Sequence, residues 1–122
     1  MYQNQAYATN VYKSNQITTA SGKKLLIMLY DGAIKNLKLA EKYIDEKNIE
    51  KININVVKTQ AILAELISTL DFNAGGEIAN NLNQLYGYMY TRLIQGNIEK
   101  DKEAVIEVRT FLQDLRETWM QI

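Results

Sequence analysis

Apolar residues recur at alternating intervals of three and four along almost the whole stretch from Leu25 to Ile122, and no proline interrupts them. A spacing of this kind places side chains on one face of an α-helix, so the chain is constrained to long amphipathic helices. The pattern resolves into four. Ser21 can cap the first, its hydroxyl accepting from an orphan N–H, and that helix is predicted to run to about Lys47, with Asn48 marking the break. The second carries Ile52, Val56, Thr59, Leu63, Leu66 and Leu70 and is predicted to end near Asp71. Residues 71–76, Asp-Phe-Asn-Ala-Gly-Gly, read as a turn. The third stripe is Ile78, Leu82, Leu85, Met89 and Leu93, with Gly96 and Asn97 as a left-handed stop. Asp101 is placed to cap the fourth, whose stripe runs through Val105, Val108, Leu112, Leu115, Trp119 and Ile122. Short loops between long helices make sequential neighbours antiparallel. The expected fold is therefore all-α, an antiparallel up-down four-helix bundle over residues 21–122.

The first helix carries more apolar surface than one bundle face can hide. Leu26, Leu29, Ala33, Leu37, Ala40 and Ile44 make an ordinary core stripe, and Leu25, Met28, Leu39 and Tyr43 make a second one beside it. A second stripe is covered either by another element of the chain or by a partner.

Composition restricts what that partner can be. Lys plus Arg and Asp plus Glu both number 14, so the net charge is zero, and nothing attracts a phosphate backbone or an anionic lipid surface. Nucleic acid and membrane are excluded as expected partners. The apolar runs fall short of the ~20 residues that cross a bilayer, and the first residues are polar, so the chain is expected to be cytoplasmic. It has no cysteine and no histidine. That removes thiolate chemistry, the phosphohistidine of phosphotransfer bundles and the Glu-x-x-His pairs of di-iron bundles. The acidic residues Asp31, Glu41, Asp45, Glu46, Glu50 and Glu65 are interspersed with Lys at helical spacing, the pattern of a solvated face. Gly75-Gly76 lacks the Lys and Ser/Thr of a phosphate-cradling loop. No catalysis, cofactor or metal is expected. A tyrosine-based small-molecule or enzymatic site is a poor alternative, because a phenol near pKa 10 is a weak acid or base at neutral pH.

Residues 1–20 behave differently. They are polar, yet hold Tyr2, Tyr7, Val11 and Tyr12, with Tyr7/Val11 and Ala8/Tyr12 spaced as helical neighbours. So short a piece is marginal as an isolated helix, and it is predicted to be a partly helical, displaceable N-terminal arm.

Two blocks of sequence carry a resemblance. Tyr7 and Tyr12, Thr19-Ala20-Ser21 and the run Lys24 to Ile34 form the first; Gly75 to Leu82, Leu85-Tyr86, Tyr88-Met89, Arg92-Leu93, Asn97, Glu107-Val108, Leu112, Leu115-Arg116 and Trp119 form the second. In this order and over essentially the whole length, they resemble FliS, the flagellin export chaperone family. Gly22 stands where that family often has proline, the favoured first helical position. The resemblance implies a bundle that binds the disordered C-terminal region of flagellin, prevents premature polymerisation and aids delivery to an export gate component, with other flagellar regulators as further partners. The expected contact set is Leu25, Met28, Leu29, Leu39 and Tyr43 on the first helix, Ile62 on the second, and Tyr86, Tyr90 and Ile94 on the third. Tyr7 and Tyr12 are expected to shield part of that surface until cargo displaces them. The competing reading is a self-assembling bundle, in which the second stripe makes a homodimer.

Overall fold

The computed structural model describes residues 20–122, which form α1 (Ala20–Asp45), α2 (Ile49–Ser68), α3 (Phe72–Glu99) and α4 (Lys102–Met120). The arm expected over residues 1–20, with Tyr7 and Tyr12, lies outside the described residues except for Ala20, which opens α1. Each helix packs on its sequence neighbours and α1 closes the ring onto α4, while the diagonal pairs stay apart. With links of two or three residues, this is the expected antiparallel up-down-up-down bundle.

The helix ends show why the chain breaks where it does. After α1, Asn48 N–H bonds Tyr43 C=O and Lys47 N–H bonds Ile44 C=O, a Schellman closure with Lys47 at φ 58° in the left-handed region. Asn48 then caps α2, its Oδ1 accepting from Lys51 N–H at 3.2 Å. The same closure ends α3: Asp101 N–H bonds Gly96 C=O, and Lys100 takes φ 52°. Asp101 caps α4 as expected, accepting from Glu103 N–H at 3.0 Å.

Four expectations are corrected. Ser21 falls inside α1 instead of before it. Gly96 and Asn97 do not stop α3, which continues to Glu99; Gly96 serves packing instead, since a Cβ there would stand 2.7 Å from the Cβ of Ala104 on α4. Residues 71–76 are not a plain turn, because Asp71 Oδ1 accepts from the N–H groups of Asn73 and Ala74 and starts a helical turn that breaks only at Gly76 (φ 55°, ψ −124°). That break turns the start of α3 outward, leaving Ile78 67% exposed, and Ile122, past the end of α4, is 80% exposed; neither joins the core.

The core itself is built from the predicted stripes: Leu26, Leu37, Ile52, Val56, Leu63, Leu66, Met89, Leu93, Val105, Val108 and Leu112 are all buried. Each such side chain contributes roughly 1.5–3 kcal/mol by leaving water. Polar groups inside are satisfied locally, as Thr59 Oγ1 donates to Asn55 C=O and Asn55 Nδ2 to Lys51 C=O. Tyr30 lies at the centre, its hydroxyl accepting from the indole N–H of Trp119 at 2.9 Å and sharing a short hydrogen bond with the hydroxyl of Tyr86. This knot joins α1, α3 and α4.

Candidate functional site

The four seams between neighbouring helices differ in how tightly they close. Between α1 and α4, Asp31 pairs with Arg116, Glu41 with Arg109 and Asp45 with Lys102. Between α3 and α4, Glu107 accepts from Arg92 Nε at 2.8 Å and from the Tyr88 hydroxyl at 2.7 Å, and Phe111 meets the Tyr88 ring edge-on. The Arg92 guanidinium first, and then the Tyr88 hydroxyl, hold the Glu107 carboxyl below its ordinary range. The α1/α2 seam closes on small residues: a Cβ at Gly32 would lie 3.4 Å from Ile62 Cδ1, and Lys51 Nζ stands 5.3 Å from the Tyr43 ring centroid.

Among the described residues, the α2/α3 seam carries a shallow depression of about 390 Å³, lined by Ala64, Ile67, Gly87, Tyr90 and Thr91. Gly87 makes the gap, since a Cβ there would meet nothing within 4 Å. From Ala64, steps of three and four toward the start of α2 reach Ala61, Val57 and Ile54. Val57 is 55% exposed and Ile54 44%; on the facing helix Ile94 is 42% and Ile98 77% exposed. Exposed apolar side chains thus continue from the depression toward the end of the bundle where Lys100 Nζ donates to Asn53 Oδ1 at 2.6 Å.

The expected contact residues divide between two seams. Tyr90 lines the α2/α3 depression, and Ile94 is exposed beside it. Leu25, Leu29, Leu39 and Tyr43 are half-buried on the first helix, with Leu29 and Tyr43 packed against the core, and Met28 is exposed. Two placements are corrected. Tyr86 is 1% exposed, with its hydroxyl on Tyr30, because the most buried face of α3 passes through Ala79, Tyr86, Met89 and Leu93, with Leu82 and Leu85 packed at the core's margin; it is core and presents no surface. Ile62 is likewise buried, against Gly32. The sequence reading missed Ile54, Val57, Ala61 and Ala64. Their signal was a second three-four stripe on α2, the same pattern that singled out α1.

Among the described residues no group of acidic side chains is arranged to hold a metal ion, and no helix is long and apolar enough to cross a membrane. The family model described as flagellar protein FliS matches residues 3–122. The chain belongs to the FliS family. The "Flagellar secretion chaperone FliS" of Bacillus subtilis is 37% identical over 110 residues, covering 90% of this chain and 81% of that protein. The protein of the same name from Campylobacter jejuni is 36% identical across all of this chain and 94% of its own, and that of Salmonella typhimurium is 36% identical over 96% of this chain and 87% of its own.

Proposed function

We infer that this chain is a cytoplasmic flagellar secretion chaperone that binds the disordered C-terminal region of flagellin, prevents its premature polymerisation and aids its delivery to the flagellar export apparatus. The observation that carries this reading is the depression between α2 and α3, lined by Ala64, Ile67, Gly87, Tyr90 and Thr91, with exposed apolar residues beside it on a FliS-family bundle. Flagellin termini assemble as amphipathic helices, and a free terminus has an apolar stripe to cover. Val57, Ala64, Gly87, Tyr90 and Ile94 offer it a groove for helix-in-groove packing. Folding onto such a surface buries on the order of 1,000–3,000 Å² and costs a few kcal/mol of ordering, which permits release as well as capture. No bond is made or broken in this cycle.

The arm completes the cycle. Tyr7 and Tyr12 shield part of the apolar surface in the free protein and lower cargo affinity by the fraction of time the groove is covered. Cargo displaces them, and the freed arm reports a loaded chaperone to the export gate. The test is isothermal titration of the full-length protein with the C-terminal region of its own flagellin at several temperatures. One-to-one binding with a large negative heat-capacity change is expected. No heat at any temperature from a folded bundle would overturn the reading and bring a self-assembling bundle to the front.

A further inference from the structure

The ion pairs between α1 and α4 all have one sense. Asp31, Glu41 and Asp45 supply the acids from α1, and Arg116, Arg109 and Lys102 supply the bases from α4. That pairing uses the groups turned toward the seam and leaves the outer sides of the two helices with opposite charge. At about 100° per residue, Lys24, Lys35, Lys38 and Lys42 share the outward side of α1, and Glu103 and Glu117 the outward side of α4. These side chains are exposed, and among the described residues none of them makes an ion pair. Lys42 rests its ammonium 5.5 Å from the Tyr43 ring centroid, an exposed contact that it can exchange for a carboxylate.

The same pairs fix which residues stand level. Asp31 is level with Arg116 and Asp45 with Lys102, so Met28 of α1 stands level with Met120 of α4, and the two are 59% and 49% exposed. On this ladder Lys35 lies about one turn from Glu117, and Lys42 less than a turn from Glu103. A second copy laid on the face about a two-fold axis parallel to the helices has its α1 opposite the first copy's α4 at the same height, and its α4 opposite the first copy's α1. Lysines then face carboxylates, and Met28 faces Met120 of the other copy, each contact occurring twice. A two-fold axis across the helices sets lysine against lysine instead, which is repulsive. With a net charge of zero, no overall repulsion keeps two copies apart.

We propose that the α1/α4 face is a self-docking surface, on which two copies of this chain pair by setting the basic side of each α1 on the acidic side of the other copy's α4. The 19 residues of α4 extend about 28 Å and two helices side by side about 20 Å, so each copy covers roughly 560 Å², the size of a weak and reversible contact. Because the helices pack in a ring in chain order, this face lies opposite the α2/α3 depression. Pairing leaves the depressions of both copies turned outward, and the inference does not depend on what occupies them.

The test follows the sedimentation velocity of the full-length protein. In about 0.05 M salt the wild type is expected to dimerise with a dissociation constant below about 100 μM, and in about 0.5 M salt to pair at least about tenfold more weakly. Lys35→Glu, Lys38→Glu and Lys42→Glu together make both helices of the face acidic, and Glu103→Lys with Glu117→Lys makes both basic. Each of these two variants is expected to melt cooperatively and to remain monomeric, while an equimolar mixture of them forms a heterodimer. A third variant with Lys47→Glu, Lys51→Glu and Lys58→Glu carries the same net charge as the acidic one but leaves the α1/α4 face intact. It is expected to dimerise as the wild type does and not to pair with the basic variant. A monomeric wild type in low salt, a dimer undiminished by high salt or by both reversals, or a mixture that fails to pair overturns the proposal. Equal pairing of the basic variant with the third variant and with the acidic one also overturns it, since net charge alone then accounts for the attraction. The salt series on the unaltered chain decides the matter whatever the variants' stability.

Discussion

Replacing Tyr30 by phenylalanine deletes one oxygen from the centre of the bundle and leaves the ring in place. That oxygen accepts from Trp119 Nε1–H and shares a hydrogen bond with the Tyr86 hydroxyl, and both tyrosines are essentially fully buried. Each intramolecular hydrogen bond contributes roughly 0.5–1.5 kcal/mol net, so losing two costs about 1–3 kcal/mol. For a domain of this size each kcal/mol moves Tm by roughly 3–5 °C, so a central value of about 2 kcal/mol lowers Tm by about 8 °C. Tyr86→Phe removes the bond to Tyr30, a loss expected to cost about 1 kcal/mol. In the double variant the shared bond is removed only once. The cycle therefore has a coupling energy of about 1 kcal/mol. Urea melts followed by far-ultraviolet circular dichroism and by the fluorescence of the single tryptophan, Trp119, measure all three variants. Strict additivity, or a Tyr30→Phe cost below about 0.5 kcal/mol, would refute the knot as a stabilising element.

Backbone conformation supports further tests. Lys47 occupies the left-handed position of a Schellman closure, so Lys47→Gly is expected to stabilise the fold by about 0.5–1 kcal/mol in a chemical melt. Gly76→Ala, at φ 55° and ψ −124°, is expected to lower stability by about 1–3 kcal/mol, although empty space surrounds that position. Gly87→Ala, on a helix and facing open space, is expected to raise it by up to about 1 kcal/mol, whereas Gly96→Val, pressed on Ala104, is expected to lower it by about 1–3 kcal/mol. For Glu107 the folded carboxyl titrates below its unfolded value, so its contribution is present above about pH 4.5 and fades as pH falls through the folded value. The stability difference between the wild type and Glu107→Gln should accordingly shrink in acid, and more weakly in high salt because the pair is partly exposed. A difference that stays constant from neutral pH into acid would contradict that arrangement.

The fold was legible because local chemistry and global packing agree. The three-four stripes of α2 and α4 became core nearly as written, and Asn48 and Asp101 cap where their side chains say they should. Where the reading failed, tertiary contacts decided. Gly96 looks like a stop in sequence, but the close approach of α4 at Ala104 gives a glycine there a different use, and the stop moved to Lys100, whose side chain bonds Asn53 and Asn97. Tyr86 stands beside the expected core stripe of the third helix and was assigned to the contact set; only the position of Tyr30 across the core shows that its hydroxyl has a buried partner. The groove was half legible. Tyr90, expected as a contact residue, lines the depression, but a stripe beside the core stripe of α1 does not reveal which neighbour meets it; here Ile62 of α2 meets it at Gly32, while Met28 stays exposed. Openness at Gly87 comes from what the facing helix lacks, which a single helix's periodicity does not encode.

At 14.0 kDa the protein suits amide-resolved NMR. Titrating the isotope-labelled full-length chain with the C-terminal region of its flagellin would map the contact directly. Shifts are expected to concentrate on Val57, Ala61 and Ala64 of α2 and on Gly87, Thr91 and Ile94 of α3, the two sides of the α2/α3 seam. Shifts confined to the ion-paired α1/α4 face, around Asp31, Glu41, Arg109 and Arg116, with the α2/α3 amides unmoved, would contradict the assignment of the groove as the cargo site.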